Sequence, residues 1–150
     1  MDHACTPIQP FGCVIRAHTP RTLLETLDTR SLRMLVQRHR LLLLRGFRGP
    51  ETADALAAYA ERWGRIALWP FGKVLELVQH ESPDDHVFDH SAMPLHWDGM
   101  YRTQVPELQI FQCLQAPTPS AGGRTLFSHS ARALREAAPA LRRLWEGATG

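Results

Sequence analysis

The residues best suited to chemistry lie at positions 94–99, which read Pro-Leu-His-Trp-Asp-Gly. His96 and Asp98 are two positions apart, so on a β-strand both side chains would point to one face while Trp97 points to the other. One imidazole and one carboxylate at this spacing form two corners of a 2-His-1-carboxylate facial triad, which leaves Fe(II) positions open for a chelating cosubstrate and dioxygen. An H-x-D pair also arises often by chance, and a structural or surface histidine is the alternative. The neighbouring elements must therefore decide between a metal site and a structural or surface histidine.

The N-terminal elements that precede this pair are predicted to be two helices, each next to a strand. Apolar residues at helical spacing predict a helix over residues 31–40, and four consecutive leucines predict a buried strand over residues 41–45. Residues 12–17 fit a first strand. Pro50 is expected to open a second helix, which Gly64 ends. Possible helix-capping residues are Asp28, Thr29 or Ser31 for the first helix, and Ser128 or Ser130 for a later one.

After residue 64 the pattern changes to short strands. Alternating hydrophobicity predicts strands over residues 74–79 and 107–115, and one more is expected over residues 124–127. Two final helices are expected, up to residue 138 and from Pro139 onward. Helices first and strands afterwards favour an α+β domain over alternating βαβ units.

Composition and charge exclude several classes of function. The 150 residues carry 17 Lys and Arg against 15 Asp and Glu, a net charge of +2, and the basic residues are scattered, so we expect no nucleic-acid partner. The three cysteines have no C-x-x-C spacing, which argues against a disulfide scaffold or a zinc ribbon. No signal peptide and no long apolar run is visible, so a cytoplasmic protein without a membrane partner is expected.

Several further motifs accompany the H-x-D pair in a fixed order. They are His-Arg-Leu-Leu-Leu-Leu-Arg-Gly-Phe at 39–47, Trp-Gly at 63–64, Val-Pro-Glu at 105–107 and Gly-Gly-Arg-Thr-Leu-Phe at 122–127. With these motifs the chain resembles the TauD/TfdA family of Fe(II)/2-oxoglutarate-dependent dioxygenases over nearly its whole length. The resemblance implies Fe(II) and 2-oxoglutarate as cofactor and cosubstrate, with His96 and Asp98 as iron ligands. It also implies that Thr125 donates a hydrogen bond to the 2-oxoglutarate carboxylate.

Three segments further resemble the PvcB-like, isonitrile-tailoring branch of this family: residues 69–73, 88–91 and 95–102. This resemblance implies oxidation or desaturation of a small isonitrile derived from an aromatic amino acid. Aromatic and sulfur-containing side chains in these segments would suit such a substrate, although packing within the barrel wall is the alternative. They are Trp69, Phe71, Met100 and Tyr101.

The family pattern needs a second histidine for iron and an arginine for 2-oxoglutarate, both in later strands. His129 follows the Thr125 segment at an expected helix start, where a structural, hydrogen-bonded role is expected. We therefore expect residues 1–150 to be the N-terminal portion of a single oxygenase domain. The fold would be a partial double-stranded β-helix (jelly roll) with flanking N-terminal helices and the C-terminal half of the barrel missing.

Other interpretations remain open. The chain could be a truncated, inactive pseudoenzyme, an assembly or binding module whose open barrel edge pairs with another chain, or a metal-independent binder of small molecules. A homo-oligomer could also complete the site. His86 and His90, four positions apart, could share a helix face as zinc ligands do, but no Glu follows His86 as it would in an H-E-x-x-H motif.

Overall fold

Short strands alternate with helices in the N-terminal part of the computed structural model, which describes residues 4–78, 93–99, 101–116, 118 and 123–148. The chain divides into two compact units, Met1–Leu114 and Gln115–Gly150. The described elements of the first unit are β1 (Cys5–Pro7), β2 (Cys13–Arg16), β3 (Thr22–Leu23), a 3₁₀ turn (Leu24–Thr26), α1 (Thr29–His39), β4 (Leu42–Arg45), β5 (Phe47–Arg48) and α2 (Ala53–Glu61). His86, His90, Met100 and Gly122 lie outside the described residues, so the interpretations placed on them stay predictions.

Two small sheets hold these strands together. In the first, β2 pairs antiparallel with β1 and parallel with β4, in the order β1-β2-β4. In the second, β3 and β5 run parallel. The strands predicted over residues 12–17 and 41–45 are confirmed as β2 and β4, but the prediction that the second is a buried strand is wrong, since its leucines are only half-buried and Arg45 is exposed. The expectation of helices first and no βαβ unit is wrong here, because α1 lies between the parallel strands β2 and β4. Parallel strands need a crossover of this kind, which is usually a helix.

The core of the first unit lies between this sheet and α1. Ile15, Leu27 and Leu32 are almost fully buried and form one cluster. Partly buried hydrophobic residues pack against it: Cys5, Leu24, Leu35, Leu42, Leu44, Phe47 and Trp63. Helix α1 begins after Asp28, whose side chain accepts a hydrogen bond from the Ser31 backbone N–H at 2.9 Å. Asp28 is thus the capping residue among the three candidates.

Helix α2 begins later than its sequence indicated. Thr52 is its N-cap and accepts a hydrogen bond from the Ala55 backbone N–H at 3.2 Å, so Pro50 precedes the helix and does not open it. A threonine hydroxyl can satisfy a free N–H of the first turn, which a proline side chain cannot do. The helix ends before Gly64, with Arg62 as the C-cap residue.

The second unit contains α3 (Ser130–Glu136) and α4 (Pro139–Gly147). His129 caps α3 through its side chain, which accepts a hydrogen bond from the Arg132 backbone N–H at 3.4 Å. The structural role expected for His129 is confirmed, and the expectation that Ser128 or Ser130 is the cap is wrong. The start of α4 at Pro139 is confirmed.

The strands predicted after residue 64 are not formed in the described residues. Residues 74–78, 107–116 and 124–127 carry no strand assignment. Alternating hydrophobicity shows which side chains face a packed surface, but a strand also needs a neighbour to exchange backbone hydrogen bonds. Within the described residues, no helix is long and apolar enough to cross a membrane.

Candidate iron site

His96 and Asp98 converge although their segment is not a strand. Residues 93–99 carry no strand assignment, contrary to the expectation. His96 Nε2 nevertheless lies 3.4 Å from Asp98 Oδ1, with 43% and 46% of the two side chains exposed. Donor atoms about 2 Å from one metal ion, in neighbouring positions around it, are about 3 Å apart. The two atoms are therefore close to the spacing that one shared ion requires.

The His96 ring is oriented by the backbone. Its Nδ1 lies 2.8 Å from the Pro94 carbonyl oxygen, which can only accept a hydrogen bond. Nδ1 must therefore carry the proton, and in the neutral ring Nε2 keeps a free lone pair facing Asp98. Metal-binding histidines commonly fix their tautomer in this way.

A hydrogen bond to one of its two oxygens also holds the Asp98 carboxylate in place. The Gln109 side-chain amide donates a hydrogen bond to Oδ2, which leaves Oδ1 facing His96. A neutral imidazole nitrogen and a carboxylate oxygen are ligand types found together in non-haem Fe(II) sites. The two residues therefore fit two positions of such a site.

Contacts on both sides of Gln109 fix its segment. Glu107 forms an ion pair with Arg33 of α1, whose guanidinium also donates to the Trp63 carbonyl oxygen at 2.6 Å. The Gln112 side-chain amide donates to the Pro50 carbonyl oxygen at 2.6 Å. Gln109 lies between these anchors, so α1 and the start of the α2 region position the amide that holds Asp98.

Gly99 begins the turn that follows the pair. Its φ is +78°, a conformation that L side chains rarely adopt, and an added Cβ would lie 2.9 Å from Pro106 Cδ. Its carbonyl oxygen accepts a hydrogen bond from the Arg102 backbone N–H at 2.9 Å. Both backbone conformation and space therefore require glycine directly after Asp98.

An aromatic cluster combines residues that precede and follow this turn in the sequence. Trp69 stacks on Phe71 with ring centroids 5.7 Å apart and meets Tyr101 edge to face at 6.4 Å. The Arg102 guanidinium lies 4.7 Å from the centre of the Trp69 ring and donates to the Leu68 carbonyl oxygen at 2.8 Å. Of the four residues suggested for an aromatic substrate, Trp69 thus contacts two others, Phe71 and Tyr101.

Thr125 belongs to the second unit, Gln115–Gly150. It is exposed, in a described segment without helix or strand, two residues after Gly123 with φ +70°. Its role toward 2-oxoglutarate stays a prediction.

Gln109 is the residue of this site that sequence reasoning missed. The only signal for it was a polar side chain inside the alternating apolar segment that was predicted to be a strand over residues 107–115. Nothing in that signal linked it to Asp98, because the contact spans eleven residues and depends on the fold.

Comparison with known proteins shows the family to which this chain is similar. Residues 5–150 match the family described as "Taurine catabolism dioxygenase TauD, TfdA family". A tyrosine isonitrile desaturase of Erwinia amylovora is 48% identical over 140 residues, which are 93% of this chain and 48% of that protein. A tyrosine isonitrile desaturase of Pseudomonas aeruginosa is 44% identical over 140 residues, which are again 93% of this chain and 48% of that protein.

A solved structure is also similar. The structure of PvcB, described as an Fe, alpha-ketoglutarate dependent oxygenase from an isonitrile synthetic pathway, superposes with a TM-score of 0.79 at 38% identity. The match covers 95% of this chain and 54% of that one.

This chain belongs to the TauD/TfdA family. Its mixed sheets and helices have the fold of the matching part of PvcB. It spans about half the length of the curated relatives it matches. The double-stranded β-helix with a missing half stays a prediction.

Proposed function

We propose that the chain supplies part of the active site of an Fe(II)/2-oxoglutarate-dependent oxygenase, which oxidises or desaturates an isonitrile derived from an aromatic amino acid. The observation that carries the proposal is the distance of 3.4 Å between His96 Nε2 and Asp98 Oδ1. The other polar atom of each side chain, His96 Nδ1 and Asp98 Oδ2, is already hydrogen-bonded. Membership of the TauD/TfdA family and the Fe, alpha-ketoglutarate dependence of the related PvcB support the choice of iron and cosubstrate.

The residues of the chain would divide the work as follows. His96 and Asp98 would hold the iron, and Gln109 and the Pro94 carbonyl would keep these ligands oriented. The Thr125 hydroxyl donates a hydrogen bond to a carboxylate of 2-oxoglutarate. When bound, iron and cosubstrate together would supply the oxidising chemistry, in which dioxygen is the oxidant and 2-oxoglutarate is converted to succinate and carbon dioxide.

The aromatic cluster supports an aromatic substrate. Trp69, Phe71 and Tyr101 offer ring faces and edges in the segments on either side of the ligand pair, and Phe71 and Tyr101 are 50% and 82% exposed. Ring faces and edges pair favourably with other aromatic rings. Two relatives are named for a tyrosine isonitrile, so we propose a substrate of this class.

The third iron ligand and the arginine for 2-oxoglutarate are proposed to come from a later segment of the same oxygenase domain. The side chains of His96 and Asp98 are almost half exposed, which leaves one side of the pair open to further ligands. The matched residues make up about half of each of these relatives, so about half of their length lies outside the match. A downstream reading frame that encodes a histidine followed by an arginine would support this arrangement.

The decisive experiment uses the full-length gene product. Succinate release from 2-oxoglutarate is measured with Fe(II), dioxygen and tyrosine isonitrile, in parallel with anaerobic Fe(II) titration. We expect His96→Ala and Asp98→Asn to lose iron binding and succinate release together. His18→Ala removes an exposed histidine outside the site and serves as the matched control. Unchanged coupled turnover in His96→Ala would contradict the proposal, as would a folded wild-type protein that neither binds Fe(II) nor releases succinate.

A further inference from the structure

Three metal-ligand side chains meet at a second place in the first unit. One ligand atom each of Cys5, Cys13 and His39 lies within 4.8 Å of the others. They come from β1, β2 and the last residue of α1, and none of them belongs to the candidate iron site.

The fold brings these residues together by strand register and helix packing. Cys5 lies opposite Ile15 in the antiparallel pair β1–β2, and Cys13 is two residues before Ile15. Side chains two residues apart on a strand share a face, so both sulfurs lie on the face of the sheet that carries the Ile15 core. Leu32 of α1 packs into that core, and His39 lies two turns further along the helix.

The chemistry of the three groups favours a thiophilic cation. Two thiolates and an imidazole are the ligand types that zinc prefers, and a site with three protein ligands keeps a fourth position for water. Cys13 is completely buried, while Cys5 and His39 are partly exposed, so an ion could enter from one side. The site also lies at the C-terminal end of α1, where the helix dipole favours positive charge.

We propose that the reduced chain binds one divalent cation of the Zn²⁺ class through Cys5, Cys13 and His39. The structure shows the two cysteines paired as a disulfide between β1 and β2, with a Cα–Cα distance of 5.9 Å. The disulfide and the metal site are alternative states of the same pair. A phosphine or dithiol reductant supplies two electrons, the S–S bond breaks and each sulfur takes a proton. Both protons are released when the thiolates bind the cation.

Cobalt(II) is the probe that separates this site from the iron site. The full-length gene product is reduced with a phosphine, freed of the reductant under anaerobic conditions and titrated with Co²⁺. Thiolate ligation gives intense sulfur-to-cobalt charge-transfer absorption, which nitrogen and oxygen ligands alone do not give. We expect one equivalent of Co²⁺ to produce this absorption, Zn²⁺ to abolish it, and His96→Ala to leave it unchanged.

Variants assign the ligands. Cys5→Ser is expected to abolish the charge-transfer absorption. His39→Ala is expected to weaken Co²⁺ binding by about 100-fold or more, since even changes to residues behind the ligands cost about 10–100-fold. Cys113→Ser is the matched control, because Cys113 is exposed and unpaired with any other described cysteine. Cys13 is left unchanged, since its complete burial makes any replacement a test of folding.

A second measurement needs no variant. If the proposal holds, Zn²⁺ protects the partly exposed Cys5 thiol of the reduced, folded protein from a thiol reagent, and a chelator exposes it again. Absence of both the absorption and the protection in reduced protein would overturn the proposal. So would Co²⁺ binding that is as tight in Cys5→Ser and His39→Ala as in the wild type, or an absorption that is lost in Cys113→Ser.

Discussion

At the scale of single residues, the candidate iron site depends on atoms that do not face the metal position. His96 uses Nδ1 on the Pro94 carbonyl, and Asp98 uses Oδ2 on the Gln109 amide. Each ligand therefore keeps one atom for the ion and loses rotational freedom before the ion binds. Preorganised ligands bind more tightly because less conformational entropy is lost on binding.

The first prediction concerns Gln109 as a positioning residue. Gln109→Met keeps the length of the side chain but removes the amide that holds Asp98 Oδ2, so Fe(II) affinity of the full-length gene product should fall by about 10–100-fold. Gln109→Glu should be at least as damaging, because a second carboxylate would repel Asp98. Anaerobic Fe(II) titration measures both effects.

Gln104 provides the matched control for this prediction. Its side chain accepts a hydrogen bond from Arg65 at 3.2 Å, and no hydrogen bond between described residues joins it to Asp98. Gln104→Met should therefore bind Fe(II) like the wild type. Wild-type affinity in Gln109→Met would show that the amide has no positioning role.

The sequence predicted the ligand pair and missed its support for a physical reason. His96 and Asp98 are two residues apart, so their proximity is nearly local. Gln109 reaches Asp98 only because Arg33 and Pro50 hold its segment in place. Contacts of this kind depend on tertiary packing, which no short motif encodes.

At the scale of elements, Asp28 gives α1 a pH-dependent start. The hydroxyl and backbone N–H of Ser31 both donate to its carboxylate, and these hydrogen bonds, with the side-chain one first, lower the pKa of Asp28. A lowered pKa in the folded state stabilises the fold at pH values above the ordinary pKa of an aspartate. This stabilisation is lost as the pH falls through the lowered value.

The second prediction follows from that pKa. Asp28→Asn keeps a good capping oxygen but cannot ionise, whereas Asp28→Ala removes the cap. At pH 7 the melting temperature should fall from wild type to Asn to Ala, and at pH 3 the difference between wild type and Asn should shrink. Thermal unfolding followed by circular dichroism checks this order. A wild-type-to-Asn difference that is equal at both pH values would contradict it.

The third prediction tests the core beneath α1. Leu32 is 3% exposed within the Ile15–Leu27–Leu32 cluster, whereas Met34 in the same helix is 58% exposed. Leu32→Ala leaves a cavity and should lower the free energy of unfolding by about 2–5 kcal/mol. Met34→Ala is the control and should change it far less. Urea unfolding of both variants measures the difference, and equal effects would place the core elsewhere.

Elements were predictable where the pattern was local. The periodicity of residues 31–40 predicted α1, and the leucine run at 41–45 predicted β4. Both patterns are local, because each follows from which side chains of a single element face the core. The parallel pairing of β2 with β4 was not predictable, because it depends on how α1 crosses between them. The Cys5–Cys13 pairing was missed for a similar reason: the two residues are eight positions apart and meet only through the register of β1 and β2.

At the scale of the whole molecule, large apolar side chains are exposed around the candidate iron site in sequence. Leu95, Trp97, Val105 and Phe111 are all at least half exposed, at 68%, 59%, 50% and 57%. Scattered apolar residues are ordinary on protein surfaces, whereas several that form one contiguous patch commonly mark an interaction surface. Since the chain spans about half of its relatives, the proposed later segment of the domain is a natural cover for these residues.

The last prediction uses Trp97 to test that cover. Its contribution to fluorescence is the difference between wild type and Trp97→Phe, measured in residues 1–150 expressed alone and in the full-length gene product. Trp97 is 59% exposed in this chain, so acrylamide should quench it readily in the shorter protein. In the full-length product the emission should shift to the blue and quenching should weaken, because the later segment excludes water from the ring. Trp145 in α4 is the comparison residue, and its quenching is measured in the same two proteins.

Equal quenching of Trp97 in both proteins would mean that the later segment does not cover this surface. Quenching of Trp97 that weakens as the concentration of the shorter protein rises would identify a second copy as the cover instead.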